Sequence, residues 1–217
     1  MHTLIISGGT IDTDFALDLL KKEKYDHIIG VDGALKFCKE QNIVPTRIVG
    51  DFDTLDPEIL TWYQTNTQIE IRQFNPVKDA TDTQIAIELA MELGSRKITL
   101  VGGTGTRLDH VLGNIQTLYL PFAKGIDCRI VDAHNRIRLV SGELHLKMTE
   151  QWGKYVSLIP FTTDVKGVDL IGFKYPLEKF NFTVLGTGSR GVSNEIAEEE
   201  AVIRIEKGIM ILVESKD

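Results

Sequence analysis

Cysteine and long apolar runs are both scarce in this sequence, and each scarcity excludes a class of protein. The 217 residues include two cysteines, Cys38 and Cys128, which lie far apart in the chain and without metal-ligand spacing. That pattern argues against a disulfide-stabilised secreted fold and favours two small buried side chains in a reducing compartment. No apolar run approaches the roughly 20 residues that a membrane-spanning helix needs. Residues 1–7 also lack the basic residues and long apolar core of a signal peptide, so we expect a soluble, cytoplasmic protein.

Clusters of positive charge are missing as well. Lysine and arginine number 24 against 31 aspartate and glutamate residues, which gives a net charge of −7, and the two signs are mixed along the chain. Nucleic-acid binding depends on clustered lysine and arginine, so the sequence argues against nucleic acid as the main partner. The length suits one large domain or two small ones.

The first part of the chain alternates short apolar runs with helical patterns. Strands are predicted at 4–6, 27–31, 48–49, 69–71, 98–101 and 128–131. Helices are predicted at 15–22, 35–41, 57–64, 82–93 and 108–120, the last of them closed by Pro121. Strands that alternate with helices indicate an α/β fold, with a mostly parallel sheet and flanking helices.

After Asp132 the pattern changes to short strand-like segments without a helical period. They lie at 136–140, 144–148, 155–159, 202–205 and 209–213, and turns separate them. This pattern predicts a small antiparallel, sandwich-like β domain. We therefore expect an α/β domain at residues 1–133 and a β-sandwich domain at residues 134–217.

Polar motifs follow one predicted strand after another in the α/β domain. They are Ser7-Gly8-Gly9, Asp32-Gly33, Asp51-Phe52-Asp53, Lys78-Asp79 with Thr81-Asp82, and Gly102 to Arg107 with Asp109. Ligands of parallel α/β sheets bind beyond the carboxyl ends of the strands, so these motifs are expected to meet at one edge. Glycine loops and basic residues suit phosphate oxygens, and carboxylates suit Mg²⁺. Together they predict a site for a nucleoside triphosphate and its metal.

The pair Asp51 and Asp53 is the centre of this prediction. It follows an apolar strand, and Gly50 permits a sharp turn between the two. Alternating positions in an extended segment direct both carboxylates the same way, and a cation such as Mg²⁺ would relieve their repulsion. Taken alone, the pair also fits an ordinary surface turn.

Several motif residues have a structural alternative. Asp79 and Thr81 can cap the helix that follows them, and Asp109 can interact favourably with its own helix N-terminus. We interpret His110 as a structural histidine rather than a base, and Lys78 by itself fits a solvated lysine.

Taken together, four motifs of the α/β domain resemble those of the bacterial thiamine pyrophosphokinase family. They are Asp32-Gly33-Ala34, Gly50 to Thr54, Lys78 to Thr83 and Gly102 to His110. In the β domain, Gly172 to Leu177 and Gly191 to Glu195 are similar to the motifs on the thiamine side of that family. The resemblance covers nearly the whole chain, and no acidic position departs from it.

The resemblance implies transfer of the pyrophosphoryl group of ATP to the hydroxyl of thiamine, giving thiamine diphosphate and AMP. It implies a Mg²⁺-dependent homodimer whose α/β domain binds the nucleotide and carries out catalysis, and whose β-sandwich binds thiamine. We further expect each active site to be shared between two subunits.

The family's site residues carry over motif by motif. The implied Mg²⁺ ligands are Asp51, Asp53 and Asp82. The implied catalytic carboxylates are these three with Asp79 and Asp109. The implied ATP-binding residues are Asp32, Gly33, Lys78, Thr104 and Arg107. To them we add Ser7, Gly8 and Gly9, because a glycine loop after a first strand is a common nucleotide contact. The implied thiamine-binding residues are Asp109, Tyr175, Ser193 and Asn194.

On the thiamine side, the resemblance implies that Tyr175 stacks on an aromatic ring, while Ser193 and Asn194 hydrogen-bond the pyrimidine. The chemistry agrees, since a tyrosine face suits a flat ring and an amide supplies both a donor and an acceptor. An acidic cleft also attracts the positive thiazolium. From the residues alone, however, Tyr175 equally fits a core position, and Ser193-Asn194 fits a plain turn.

Two other functions stay open on the sequence. One is a nucleotide-dependent phosphoryl transferase that acts on a different alcohol. The other is a non-catalytic nucleotide sensor whose β domain binds a partner protein, which the number of carboxylates disfavours. No general base is assigned, and Asp79 and Asp109 are the candidates.

Overall fold

The computed structural model describes residues 1–53, 55–74 and 80–217. Contacts divide the chain into two compact units, Met1–Ala133 (unit 1) and His134–Asp217 (unit 2). Among the described residues, no helix is both long enough and apolar enough to cross a membrane.

The described part of unit 1 alternates strands and helices, as predicted. The strands are β1 (His2–Ile6), β2 (His27–Val31), β3 (Arg47–Gly50), β4 (Glu70–Gln73), β5 (Lys97–Val101) and β6 (Asp127–Val131). The helices are α1 (Thr13–Lys22), α2 (Ala34–Glu40), α3 (Pro57–Asn66), α4 (Asp82–Glu92), α5 (Leu108–Thr117) and α6 (Tyr119–Phe122).

These strands form a parallel sheet in the order β6-β5-β1-β2-β3-β4, which confirms the predicted fold class. The central strands are buried over most of their length, as expected for a sheet covered on both faces. The strand order reverses at β1, which lies between β2 and β5. Such a reversal leaves a crevice beyond the carboxyl ends of the neighbouring strands, where ligands bind in folds of this kind.

Side-chain caps fix where three of the helices begin. Asp12 accepts a hydrogen bond from the first turn of α1, and Asp56 does the same for α3, where Pro57 is the first helical residue. Thr81 accepts from the Gln84 N–H at 3.2 Å and caps α4. The capping role considered for Thr81 is therefore confirmed, while Asp79 lies outside the described residues.

The predicted helix at 108–120 is wrong in its extent. The structure has two helices there, α5 and the short α6, and Pro121 lies inside α6 instead of closing the helix. Proline is tolerated at that point because the amides of a first helical turn have no intrahelical acceptor.

Unit 2 is rich in β-strands, as predicted. Its strands are β7 (Asn135–Lys147), β8 (Tyr155–Pro160), β9 (Asp164–Ile171), β10 (Leu177–Thr183), β11 (Asn194–Glu195) and β12 (Glu200–Ser215). The segments predicted as separate strands at 136–140 and 144–148 are one strand, β7, and those at 202–205 and 209–213 are one strand, β12. Gly142 and Gly208 resembled turns in the sequence, but they lie where the two paired strands bend around a shift in register. Strands β9, β10 and β11 were not predicted.

Strand β12 connects two blocks of antiparallel strands. Residues 202–207 pair with β9 and residues 210–215 pair with β8, while β7 pairs with both halves. Strand β10 extends the first block beside β9, and β11 extends the second beside β8. Buried side chains of both blocks, among them Leu158, Phe182 and Ile203, form one apolar core. This arrangement agrees with the predicted β-rich second half of the chain.

Candidate active site

A cavity of about 660 Å³ lies at the carboxyl ends of the strands of unit 1. Its lining comes from the loops after β1, β2, β3 and β5 and from the starts of α4 and α5. The residues assigned from the sequence that line it are Ser7, Gly8, Gly9, Asp32, Asp51, Asp82, Thr104 and Arg107. The assigned residues Gly33, Asp53 and Asp109 are not in this lining. Lys78 and Asp79 lie outside the described residues.

Backbone hydrogen bonds join the two glycine loops that form one wall of the cavity. The Ser7 N–H donates to the Val101 carbonyl at 2.8 Å, and the Gly9 N–H donates to the Gly102 carbonyl at 2.9 Å. The loops lie so close that a Cβ on Gly102, whose φ is +70°, would be 2.1 Å from the Ser7 carbonyl oxygen. Glycine at position 102 is therefore required by both the backbone angle and the contact.

Two polar side chains that the sequence analysis did not select also hold these loops. The hydroxyl of Thr83, at the start of α4, lies 2.7 Å from the hydroxyl of Ser7, and both residues are buried. The carboxylate of Asp132, just after β6, accepts from the Thr104 hydroxyl at 2.8 Å. Each of these bonds ties one glycine loop to a neighbouring element of unit 1.

Asn114 is a third residue that the sequence analysis missed. It lies on α5, is 7% exposed, and donates from Nδ2 to the Gly103 carbonyl at 2.8 Å. A buried amide that binds a loop carbonyl satisfies a polar group that would otherwise be costly to bury. The sequence signal was a polar residue at a core-facing position of an amphipathic helix.

Three carboxylates converge at the ends of β2 and β3. Among the described residues, single carboxylate oxygens of Asp32, Asp51 and Asp53 lie within 4.8 Å of one another. Oxygen donors grouped in this way suit a hard divalent cation such as Mg²⁺. The structure thus brings together Asp51 and Asp53, as expected, and adds Asp32. Asp82 is the first residue of α4 and lines the cavity without belonging to this group.

The backbone at Phe52 shows how both flanking carboxylates reach one point. Phe52 has a φ of +61°, which is rare for a bulky residue, and Asp32 has a φ of +43°. The Phe52 ring is 8% exposed and belongs to a core cluster with side chains of α2 and α3. A Cβ on Gly50 would lie 2.8 Å from that ring, so glycine leaves room for it. Burial of the ring therefore holds the left-handed turn that directs Asp51 and Asp53 toward Asp32.

The grouped carboxylates affect one another electrostatically. Desolvation, followed by repulsion from the Asp51 and Asp32 carboxylates, raises the pKa of Asp53. The Asp53 N–H also donates to the Asp51 carboxylate at 3.2 Å. Such a site favours the binding of a positive charge, because a cation lowers the repulsion that the carboxylates share.

Arg107 and Asp109 form an exposed ion pair at the start of α5. The Arg107 guanidinium donates to the Asp109 carboxylate at 2.6 Å, and this hydrogen bond lowers the pKa of Asp109. Arg107 also lines the cavity, so the pair lies at its rim. His110, which we expected to be structural, is exposed and lines the same cavity.

Unit 2 contains three of the residues assigned to thiamine, namely Tyr175, Ser193 and Asn194, and their side chains differ in exposure. Tyr175 is 60% exposed, and Asn194 is 6% exposed. The Asn194 side chain binds the main chain of Tyr175. Its Oδ1 accepts from the Tyr175 N–H at 3.0 Å, and its Nδ2 donates to the Tyr175 carbonyl at 2.8 Å. Ser193 is exposed, with a φ of +59°, and its N–H donates to the Ser157 hydroxyl at 2.9 Å.

Two family models match the chain. Residues 16–130 match the model described as thiamin pyrophosphokinase, catalytic domain, and residues 142–210 match the model described as thiamin pyrophosphokinase, vitamin B1 binding domain. The first match alone spans more than half of the 217 residues.

Individual relatives agree with these matches. The chain is 34% identical over 195 residues to a thiamine pyrophosphokinase of Bacillus subtilis (strain 168), with 87% of each chain covered. A crystal structure of thiamine pyrophosphokinase from Bacillus subtilis is similar with a TM-score of 0.86 and 31% identity, and 100% of both chains is covered. A thiamin pyrophosphokinase structure from Geobacillus thermodenitrificans has the same TM-score and identity, covering 100% of this chain and 98% of that one.

Proposed function

The chain belongs to the thiamin pyrophosphokinase family, and on that premise we propose that it transfers the pyrophosphoryl group of ATP to the hydroxyl of thiamine. The products are thiamine diphosphate and AMP. The observation that carries the proposal is the convergence of Asp32, Asp51 and Asp53 beside a cavity walled by two glycine loops. A phosphate-binding loop and a carboxylate group at one edge are the parts that phosphoryl-transfer sites require.

We assign the cavity of unit 1 to ATP. Its volume is within the range of small-molecule sites, and its lining includes the two glycine loops, a kind of backbone that suits phosphate oxygens. Arg107 at the rim adds a planar cation that suits phosphate oxygens. The Ser7–Thr83 and Thr104–Asp132 hydrogen bonds hold the loops in place before ATP binds.

We assign Mg²⁺ to the carboxylate group. Asp51 and Asp53 would hold it with Asp32, and Asp82 would add negative charge nearby, in keeping with its effect on the pKa of Asp53. A bound Mg²⁺ supplies positive charge that offsets the negative charge of the phosphates in the transition state. The donor set fits the ion, since all three donors are carboxylate oxygens.

We assign thiamine to the exposed face of Tyr175 and to Ser193, with Asp109 on the side of its positive charge. The Tyr175 ring is exposed enough to stack on a flat heterocycle. The lowered pKa of Asp109 makes its carboxylate a weaker proton acceptor. We therefore assign Asp109 to charge complementarity rather than to proton abstraction, and catalysis chiefly to alignment of the hydroxyl with the phosphorus that it attacks.

The proposed reaction is tested by incubating the protein with ATP, Mg²⁺ and thiamine and analysing the nucleotides. We expect AMP to appear only when thiamine is present, with one thiamine diphosphate formed for each AMP. Formation of ADP would indicate transfer of a single phosphoryl group. Absence of turnover, with ATP binding retained, would favour a nucleotide sensor.

We further propose that the protein is a cytoplasmic homodimer in which each active site uses residues of both subunits. Cys38 and Cys128 are free and buried, which agrees with a reducing compartment. Mixing Asp51→Asn subunits with Tyr175→Ala subunits tests the sharing, at thiamine concentrations well below the raised KM of the Tyr175→Ala parent. Shared sites would give a mixed dimer with one intact site and restored activity. A mixed dimer verified with two affinity tags but lacking restored activity would contradict sharing.

A further inference from the structure

The Asn194 side chain is buried and occupied by main-chain partners. Its Oδ1 accepts from the Tyr175 N–H at 3.0 Å and from the Glu195 N–H at 2.9 Å, and its Nδ2 donates to the Tyr175 carbonyl at 2.8 Å. The residue is 6% exposed. An amide oxygen has two lone pairs, so these contacts use both of them and one of the two N–H donors.

This contact continues a short antiparallel ladder. The Lys174 N–H donates to the Glu195 carbonyl at 2.9 Å, and Phe173 pairs with Ile196. The same antiparallel register places Tyr175 opposite Asn194, and there the Asn194 side-chain amide supplies the donor and acceptor that a neighbouring peptide unit would supply. The side chain thus fixes both main-chain hydrogen-bonding groups of Tyr175.

The chemistry of this contact selects asparagine. Aspartate has acceptors but no donor for the Tyr175 carbonyl, and burying its charge there would be costly. Alanine has neither group, and glutamine places its amide one methylene further from the backbone. The identity of residue 194 is therefore explained by the main chain of Tyr175, without any contact to a ligand.

The ring of Tyr175 is constrained from a second direction. The Lys174 ammonium lies 5.6 Å from the ring centroid, and it is held in turn by the Glu195 carboxylate at 3.0 Å. The same ring is 60% exposed. A hydrogen-bonded backbone and an ion-paired lysine beside the exposed ring restrict the positions that the ring can take.

We propose that Asn194 is a positioning residue for Tyr175 and acts on thiamine through that ring, not by contacting the pyrimidine. This inference rests on the proposed function, in which Tyr175 stacks on thiamine. A ring that is already ordered loses less conformational entropy on binding, so the clamp increases affinity for the stacked substrate.

The clamp itself is tested by hydrogen exchange of the Tyr175 amide in the protein without ligands, followed by NMR. In Asn194→Ala the amide loses its acceptor, and we expect its exchange to become roughly tenfold faster or more. Asn181→Ala is the matched control, because Asn181 also caps a main-chain N–H of unit 2, that of Gly167 at 3.0 Å. Unchanged Tyr175 exchange in Asn194→Ala would overturn the inference.

The route to thiamine is tested by a double-mutant cycle on the KM for thiamine. We expect Asn194→Asp and Tyr175→Ala each to raise that KM about tenfold, with the KM for ATP changed less than about twofold. In the Tyr175→Ala background, Asn194→Asp should add little, because its partner ring is already gone. If the two substitutions instead multiplied each other's effect on the KM for thiamine, Asn194 would contact the substrate separately. That result would overturn the inference.

The exchange experiment and the double-mutant cycle together distinguish a failure of this inference from a failure of the proposed function. If Tyr175→Ala leaves the KM for thiamine unchanged, Tyr175 does not bind thiamine, and the action of Asn194 through the ring is refuted with it. Faster Tyr175 exchange in Asn194→Ala would still establish the clamp as a structural contact. Neither Asn194→Ala nor Asn194→Asp is expected to keep the KM for thiamine of the native protein.

Discussion

Each unit contains a buried asparagine that binds a candidate ligand loop, but the surroundings of the two side chains differ. In unit 1, Asn114 makes one hydrogen bond, to Gly103, in a loop that backbone bonds already tie to its neighbour. In unit 2, Asn194 makes three hydrogen bonds at the end of a short ladder. A parallel sheet gathers its loops by topology, whereas the antiparallel unit positions Tyr175 with a single side chain.

The same contrast applies to how the ligand groups themselves are distributed. In unit 1, Asp32 and Asp51 follow different strands and meet because those strands are adjacent and parallel. In unit 2, Tyr175 and Asn194 meet because a side chain bridges two segments. The first arrangement should tolerate the loss of one supporting contact better than the second.

The largest effect is expected from the carboxylate group of unit 1. Asp51→Asn should lower turnover on the order of 10²-fold or more, because a group that stabilises transition-state charge is lost. Asp56→Asn is the matched control, since Asn caps α3 as well as Asp does and residue 56 is outside the carboxylate group. Two quantities are measured, namely turnover and the affinity for Mn²⁺, which replaces Mg²⁺ as the probe in calorimetry. Near-normal values of both in Asp51→Asn would remove the metal assignment.

A second prediction concerns the buried ring that holds this group. Phe52→Ala should lower the free energy of unfolding by about 3 kcal/mol, because a large side chain is removed from a packed core. It should also weaken Mn²⁺ binding, since the turn between Asp51 and Asp53 loses its anchor. Urea unfolding and calorimetry measure the two effects, and Phe52→Leu should show both to a smaller degree. Lower stability with unchanged Mn²⁺ affinity would show that the ring does not position the carboxylates.

The third prediction compares the two asparagines directly. Asn114→Ala should raise the KM for ATP about threefold, less than Asn194→Ala raises the KM for thiamine, because backbone bonds still hold the Gly103 loop. Steady-state kinetics with each substrate varied in turn provides both values. A larger effect for Asn114→Ala would break the proposed difference between the units.

The smallest effects are expected from two histidines, one in each unit, whose pKa values are shifted in opposite directions. Burial lowers the pKa of His2 below 6.5, so the unfolded chain binds the proton more readily. Its contribution to stability is present above pH 6.5 and is lost as pH falls through the lowered pKa. The charged groups around this ring are Glu23, Lys97, Asp127 and Arg129.

The contribution of His145 to stability should change with pH in the opposite direction. Hydrogen bonding to the Glu143 carboxylate, with Glu200 on the other side, raises the pKa of His145 above 6.5. Its contribution is present below pH 6.5 and is lost as pH rises through the raised pKa. NMR titration of both rings, with urea unfolding of His2→Gln and His145→Gln at several pH values, tests this. The prediction would be contradicted if the contributions of the two histidines to the free energy of unfolding changed with pH in the same direction.

The sequence predicted unit 1 well because its signals are local. A buried parallel strand is an apolar run, and a helix shows its period within a few turns, so both could be identified without knowing the fold. The acidic and glycine motifs followed these strands, and the rule for parallel sheets placed them at one edge. The unit 2 strands were harder to predict, because Gly142 and Gly208 resembled turns although the strands continue through them.

The supporting residues could not be predicted in the same way. Thr83, Asn114 and Asp132 each contact a loop that lies elsewhere in the sequence. A polar residue at a core-facing helix position, such as Asn114, signals a buried partner but does not show which loop supplies it. For Asn194 the family resemblance implied a hydrogen bond to the pyrimidine, and the residues alone fitted a plain turn. The direction of its amide toward the Tyr175 main chain depends on the pairing of two segments that the residues alone did not reveal.

The sequence by itself determined the α/β and β-rich halves, the family, and the identities of the acidic and glycine-rich groups at the strand ends. These features depend on composition, period and short motifs, each of which is complete within a few residues. The tertiary structure alone decided that Asp32 joins Asp51 and Asp53, that a buried Phe52 ring holds their turn, and that the Asn194 amide binds the main chain of Tyr175. Those facts depend on distances between residues far apart in the chain, which only the packing of strands and side chains fixes.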